Sequence, residues 1–212
     1  MSSYEELRRR MVDRQLRDRG ISDERVLAAM GEVPRELFVG ERDRDLAYAD
    51  QALAIGEGQT ISQPWIVAAI CQALELEGGE RVLEIGTGSG YSACVLARLG
   101  AEVVTIERLP GLAASAEKAL RECGAEGVEV VVADGSLGLP ERAPYDGIAV
   151  HAAAPAPPPA LLAQLAEDGR LVVPVSSDGA DMLTVYRRRG EEFDSEVIGP
   201  CRFVPLIGEE GF

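Results

Sequence analysis

The chain's densest chemistry lies in RVLEIGTGSGY (81–91), where Glu84 is followed by glycines at alternate positions, Gly86, Gly88 and Gly90. The apolar run Val82, Leu83, Ile85 reads as a strand. Ser92–Ala97 reads as a helix, stopped by Gly100. Glycines allow a tight turn and close approach of a ligand to the backbone, and the helix N-terminus beyond presents unpaired N–H groups. A dinucleotide fingerprint wants its third glycine at the sixth position; Tyr91 stands there, and the pattern is instead G-x-G-x-G. The next strand, EVVTIE (102–107), ends on Glu107, 21 positions after Gly86. A carboxylate there can accept hydrogen bonds from both hydroxyls of a ribose, or be a solvated acid after an ordinary crossover. Asp134-Gly135, after a third strand, is either a simple turn or a further ligand carboxylate. Ser62 precedes Gln63-Pro64, so its hydroxyl either satisfies a helix N-terminus or faces a reactant. His151, the single histidine, ends a strand at the sheet edge where open α/β folds bind ligands, and a histidine titrates near neutral pH.

Composition narrows the function classes. The net charge is -15 and the sequence pI is about 4.5. No basic stripe exists to neutralise phosphates, which argues against a nucleic-acid partner. Cys71, Cys94, Cys123 and Cys201 are scattered along the chain, and one histidine cannot complete a metal set. The expectations are no metal, reduced thiols and a cytoplasmic location. A charged N-terminus without the apolar core of a signal peptide, and no run of 18 apolar residues, predict no membrane association.

Elements must position these residues. Ser3 with Glu6 forms a capping-box pattern opening a helix with Leu7, Met11, Val12 and Leu16 at helical spacing, stopped by Gly20. Ser22 is expected to open a second helix with Asp23 and Glu24 in its first turn and Val26, Leu27 and Met30 facing inward. Residues 47–62 are irregular and too long for a neutral connector, which makes them a candidate binding loop. Pro64 starts a helix with Ile66, Val67, Ile70, Ala73 and Leu74 on one stripe, expected to end at Gly78-Gly79. Strands and helices then alternate: strand 102–107, helix 109–123, strands 128–132 and 145–150, a helix through Leu161, Leu162 and Leu165 ended by Gly169, and strand 170–175. Alternation predicts a parallel sheet with right-handed crossovers. Residues 182–186 and 197–206, joined by a polar turn at 190–194, predict a closing hairpin. The fold expected is α/β, a doubly wound, mostly parallel seven-stranded Rossmann-like sheet closed by a C-terminal antiparallel hairpin, with a small N-terminal helical cap. Residues 1–212 form one domain in this reading, with cap and substrate loop at 1–63 and cofactor-binding core at 64–212.

The G-x-G-x-G turn after Glu84 resembles the first motif of class I S-adenosylmethionine methyltransferases. Gly56-Glu57-Gly58-Gln59-Thr60-Ile61-Ser62-Gln63-Pro64 closely resembles the IGxGQTISxP segment of protein-L-isoaspartate O-methyltransferases. YDGIAVHAAAP (145–155) and RFVPL (202–206) are similar to that family's fourth-strand and C-terminal motifs. The resemblance spans about Arg14 to Gly208. It implies S-adenosyl-L-methionine as cofactor, bound by Gln59, Thr60, Ile61, Glu84, Gly86, Thr87, Gly88, Ser89, Gly90, Glu107, Arg108, Asp134 and Gly135. Asp134 would read the adenine amino group. It implies Ser62 as the catalytic contact to the acceptor carboxylate, and Ile55, Gly56, Ser62, His151, Arg202 and Phe203 around the acceptor; for Arg202-Phe203, packing of Phe203 and Val204 is an alternative of equal weight. The implied partners are isoaspartyl peptides and proteins, met by a monomer. The α-carboxyl of an isoaspartyl residue is methylated, and the ester collapses to a succinimide that hydrolyses partly to normal aspartate.

A carboxylate with a pKa of about 4 is already ionised at neutral pH, so this transfer requires no general base and rests on alignment. On that ground a base role for His151 is not needed. Two departures stand out: Ala52 where the family usually has proline, and His151 where it usually has a small or hydroxylated residue. Both bear on acceptor preference and not on methyl transfer. Two other readings are a methyltransferase acting on ordinary aspartate of one dedicated peptide, and a cofactor-binding module without turnover.

Overall fold

The computed structural model describes residues 4–177 and 179–212. The capping box expected at the start involves Ser3, which lies outside them. α1 (Tyr4–Met11) continues through tighter and wider helical turns to Arg19 and stops at Gly20, whose φ is 93°. α2 (Glu24–Glu32) starts one residue later than expected. Its N-cap is Asp23, not Ser22, because the Asp23 carboxylate accepts from the N–H groups of Arg25 (2.8 Å) and Val26 (3.4 Å).

The segment read as an irregular loop contains a hairpin, β1 (Leu53–Gly56) and β2 (Gln59–Ile61). Its two-residue turn, Glu57-Gly58, has positive φ at both positions, as a type I′ turn requires. The strands are too short for their period-2 alternation to show in the sequence. α3 (Pro64–Leu74) opens on its proline and ends at Glu75, before the expected glycines.

The remaining elements are β3 (Arg81–Ile85), α4 (Tyr91–Arg98), β4 (Glu102–Glu107), α5 (Pro110–Cys123), β5 (Val128–Val132), β6 (Tyr145–Val150), α6 (Pro159–Ala163), β7 (Leu165–Ser177), β8 (Ala180–Arg189) and β9 (Glu192–Cys201). The seven-stranded sheet has the order β5-β4-β3-β6-β7-β8-β9. β5, β4, β3, β6 and β7 run parallel, and β8 and β9 are antiparallel. From β3 the chain steps outward through β4 to β5, then returns to β6 on the other side of β3. Ligands bind at the carboxyl ends of strands at such a switch point.

Alternation along β3 separates two faces. Val82 joins the core formed with α2, α3 and α4, and Leu83 and Ile85 join the core on the opposite face with Ile148 and Leu161. Met11, Leu16 and Met30 of the N-terminal helices belong to the first core. Cys94 on α4 and Cys123 at the end of α5, distant in sequence, bring their sulfurs within 2.8 Å.

The C-terminal half departs from expectation in three places. α6 ends at Ala163, and residues expected to prolong it bulge out of the β6–β7 ladder before it resumes at Arg170. The closing strands lie at 180–189 and 192–201, not at 182–186 and 197–206. β9 is a largely exposed edge strand, so its charged residues are compatible with the ladder and apolarity does not mark its limits. RFVPL therefore falls beyond β9. There the backbone pairs with the loop after β6: Ala153 N–H donates to Val204 O (2.8 Å) and Leu206 N–H to Ala153 O (2.7 Å).

Candidate active site

A cleft of about 790 Å³, counting its open mouth, lies at the carboxyl ends of β3 and β4, within the ~300–1,000 Å³ range of small-molecule sites. Its wall includes Gln59, Thr60, Ile61, Ser62, Gly86, Thr87, Gly88, Ser89, Glu107, Arg108, Gly135 and His151, all singled out from sequence. Gly86 and Gly88 have φ of 90° and 54°, and Gly86 N–H is tied to Ile106 O at 2.8 Å. Glu107 is buried, with one carboxylate oxygen accepting from Gly88 N–H (2.9 Å) and the other from Leu109 N–H (3.0 Å). These two bonds fix the carboxylate and leave further lone pairs for a pair of hydroxyls. At Gly135 a Cβ would lie 2.6 Å from Ile85 Cγ2, so no larger residue fits between the cleft and β3.

Other expected residues stand elsewhere. Glu84 is fully buried behind the cleft. Its partner across the β3–β4 ladder is Thr105, whose hydroxyl donates to it at 2.6 Å and sits 2.7 Å from Thr87 Oγ1. Gly90 caps α4 and packs on α5; a Cβ there would meet Leu120 Cγ at 3.2 Å. Ile55 leans on the glycine turn, its Cδ1 3.4 Å from where a Gly88 Cβ would be, and lines a neighbouring pocket with Gly88 and Ser89. Gly56 belongs to the hairpin tip and lines neither of the two clefts described here. Asp134 is also outside the cleft wall. Its carboxylate accepts from Ser136 N–H (2.9 Å), the Ser136 hydroxyl (2.8 Å) and Glu209 N–H (2.9 Å), and so anchors the tail that follows RFVPL. Burial pushes this carboxyl up, but the bonds from Glu209 and Ser136 outweigh it and hold the group below its ordinary value.

A second groove, lined by Arg19, Ala52, Trp65, Arg202 and Phe203 among others, adjoins the first. Thr60, Ser62, His151 and Val204 belong to both. Ser62 leaves β2 toward α3, but α3 is capped at Gln63 with no side-chain bond, so the hydroxyl is not consumed by the helix. Its backbone is held instead by Arg35, a fully buried arginine that sequence reading passed over. Arg35 donates from Nη2 to Ser62 O (2.7 Å) and from Nε to Ala47 O (2.8 Å), with its guanidinium 4.8 Å from the centre of the Tyr91 ring. His151 Nε2 lies 2.9 Å from Ser92 Oγ and 3.3 Å from Glu84 Oε1. Sequence reading also missed Tyr91, Ser92 and the wall at 204–207. Tyr91 and Ser92 open α4 directly after the glycine turn, and 204–207 belong to the chain return after β9, whose placement against the cleft local pattern does not signal.

A doubly wound sheet with its switch point at β3, a G-x-G-x-G turn and a fixed carboxylate at the end of the next strand define a class I methyltransferase fold. The model of the protein-L-isoaspartate(D-aspartate) O-methyltransferase family matches residues 7–211, and the chain belongs to that family. It is 56% identical over 209 residues to protein-L-isoaspartate O-methyltransferase 2 of Marinobacter nauticus, covering 98% of this chain and 95% of that one. It is also 56% identical to the protein-L-isoaspartate O-methyltransferase of Methanoregula boonei, covering 97% and 94%. A protein-L-isoaspartate O-methyltransferase of known structure superposes with a TM-score of 0.87 at 30% identity, covering 96% of this chain and 67% of that one.

Proposed function

We infer that this protein transfers a methyl group from S-adenosyl-L-methionine to the α-carboxyl of L-isoaspartyl residues in damaged proteins and peptides, which starts their repair through a succinimide. The observation that carries this reading, in a chain of this family, is the joint of two clefts at Thr60, Ser62, His151 and Val204. A donor on one side meets an acceptor on the other there.

The residues fit the cofactor. The fixed Glu107 carboxylate would take the ribose hydroxyls. The turn at 86–89 would bring backbone N–H groups and the N-terminus of α4 to its charged end, and Gly135 leaves room along β3. Asp134 would act at the adenine end by holding the tail of which Leu206 and Ile207 wall the cleft. When bound, the cofactor supplies an electrophilic methyl on a sulfonium. Ser62, whose hydroxyl has no hydrogen-bond partner among the described residues and whose carbonyl is fixed by Arg35, would orient the acceptor oxygen. The acceptor carboxylate is already ionised, so the transfer needs no base.

The reading includes a monomer in the cytoplasm, and it includes no nucleic-acid partner, which the net charge of -15 supports. Among the described residues no helix is long and apolar enough to cross a membrane. It also includes one domain divided near residue 63 into cap with substrate loop and cofactor core. Labelled cofactor with matched isoaspartyl and aspartyl peptides tests the function. Base-labile methyl ester on the isoaspartyl peptide alone is expected; ester on the aspartyl peptide, or on neither, refutes it.

A further inference from the structure

Resting on the reading above, one question is what else grips the acceptor at the joint. Of the four residues common to both clefts, Thr60 and Val204 carry no titratable group and Ser62 is already assigned. His151 remains. Its ring is held from one side only. Nε2 faces Ser92 Oγ on α4 at 2.9 Å and Glu84 Oε1 on β3 at 3.3 Å, and Phe203 lies against the ring with centroids 6.4 Å apart. Nδ1 has no hydrogen-bond partner among the described residues. Glu84 Oε1 is fully buried with no hydrogen bond among the described residues, and the imidazole Nε2 lies 3.3 Å from it. A buried carboxylate oxygen left so is costly unless its neighbour answers it. An Nε2 that answers Glu84 Oε1 carries a hydrogen, with Ser92 Oγ placed to accept beside it, so both ring nitrogens donate in the imidazolium, Nε2 toward Glu84 and Ser92 and Nδ1 away from them.

We propose that His151 is a specificity-determining residue that donates from Nδ1 to the acceptor carboxylate across the joint from Ser62, with Glu84 and Ser92 holding the ring in place. The bond has a particular kinetic signature. The acceptor loses its negative charge as the methyl arrives, so a donor to that carboxylate is strongest before the transfer. It strengthens binding and does not accelerate the step. Ser62 aligns the oxygen; His151 captures the anion.

The two ring nitrogens can be separated by substitution. The amide nitrogen of His151→Asn falls near the Nδ1 position, and that of His151→Gln near Nε2. His151→Ala removes both. Peptide KM and kcat are measured for each variant, along with calorimetric affinity for the isoaspartyl peptide in the presence of S-adenosylhomocysteine. Affinity for S-adenosylhomocysteine alone checks that the fold and cofactor cleft are intact. For Ala and Gln, KM and the peptide dissociation constant are expected to rise about tenfold or more, as loss of a charge-assisted bond implies. Their kcat is expected to be unchanged within about twofold, or higher. Asn is expected to stay close to the parent. Gln as good as the parent, Asn as poor as Ala, or no change in any variant overturns the proposal. A parent enzyme that esterifies no isoaspartyl peptide overturns the functional reading instead.

Discussion

The two halves of the site are built in opposite ways. The side proposed for the cofactor is built largely from one stretch: β3, its glycine turn, α4 and β4 follow one another in the chain, and Glu107 is clamped by the N–H groups of Gly88 within it and Leu109 just beyond, with residues 59–61, 135 and 204–207 completing the wall. The groove proposed for the acceptor is assembled from afar. Ser62 comes from the hairpin exit, His151 from the end of β6, and Arg202 and Phe203 from the return beyond β9. The first half is therefore tied to crossover geometry, and the second can vary one segment at a time. Ala52 and His151 both lie in the second half.

Perturbations should separate the halves. The largest effect is expected for Ser62→Ala: kcat falling by ~10²-fold, the cost of misplacing a reacting atom by about an ångström, because the hydroxyl acts by aligning the acceptor oxygen and not by stabilising charge. Its thermal unfolding should be unchanged, because α3 is capped without it. Glu107→Ala should weaken S-adenosylmethionine binding by about a hundredfold in calorimetry, two bonds to a charged group being lost, while peptide affinity holds. Arg35→Lys joins the halves: losing the fork that holds Ala47 and Ser62 carbonyls should cost about 1–3 kcal/mol in denaturant unfolding and lower kcat with little change in cofactor affinity.

The smallest effect is expected at Asp134. Its folded pKa lies below the unfolded value, so its contribution is present above ~3.9 and is lost as pH falls through the lower, folded value. The tail at 209–210 should stay protected from hydrogen exchange at neutral pH and lose protection in acid. Asp134→Ala should expose it at every pH.

The cofactor half was the more legible. β4, β5 and β6 lie at the residues the sequence indicated: β4 and β6 are interior parallel strands that read as apolar runs, and β5, the sheet's edge, shows as a run of β-branched valines. Gly124 marked the end of α5 because a left-handed C-cap favours glycine. The turn also gave up its third glycine's role only in three dimensions, where Gly90 makes room for α5 rather than for a ligand. Ser62 stood out through motif resemblance, since by position alone it passes for a helix cap. The partners of His151 could not be read, as Glu84 and Ser92 sit on separate elements and meet the ring only through the register of β3 beside β6. Arg35 was invisible because nothing in its neighbourhood distinguishes a fully buried arginine from a solvated one.

The joint between the clefts also bears on traffic. Both clefts are partly open to solvent and share only four wall residues, which would let each reactant reach its own side without passing through the other. Initial-rate patterns should then show that either partner can arrive first. A spent cofactor still in place should not bar the departing ester, which leaves a large folded client free to dissociate at once.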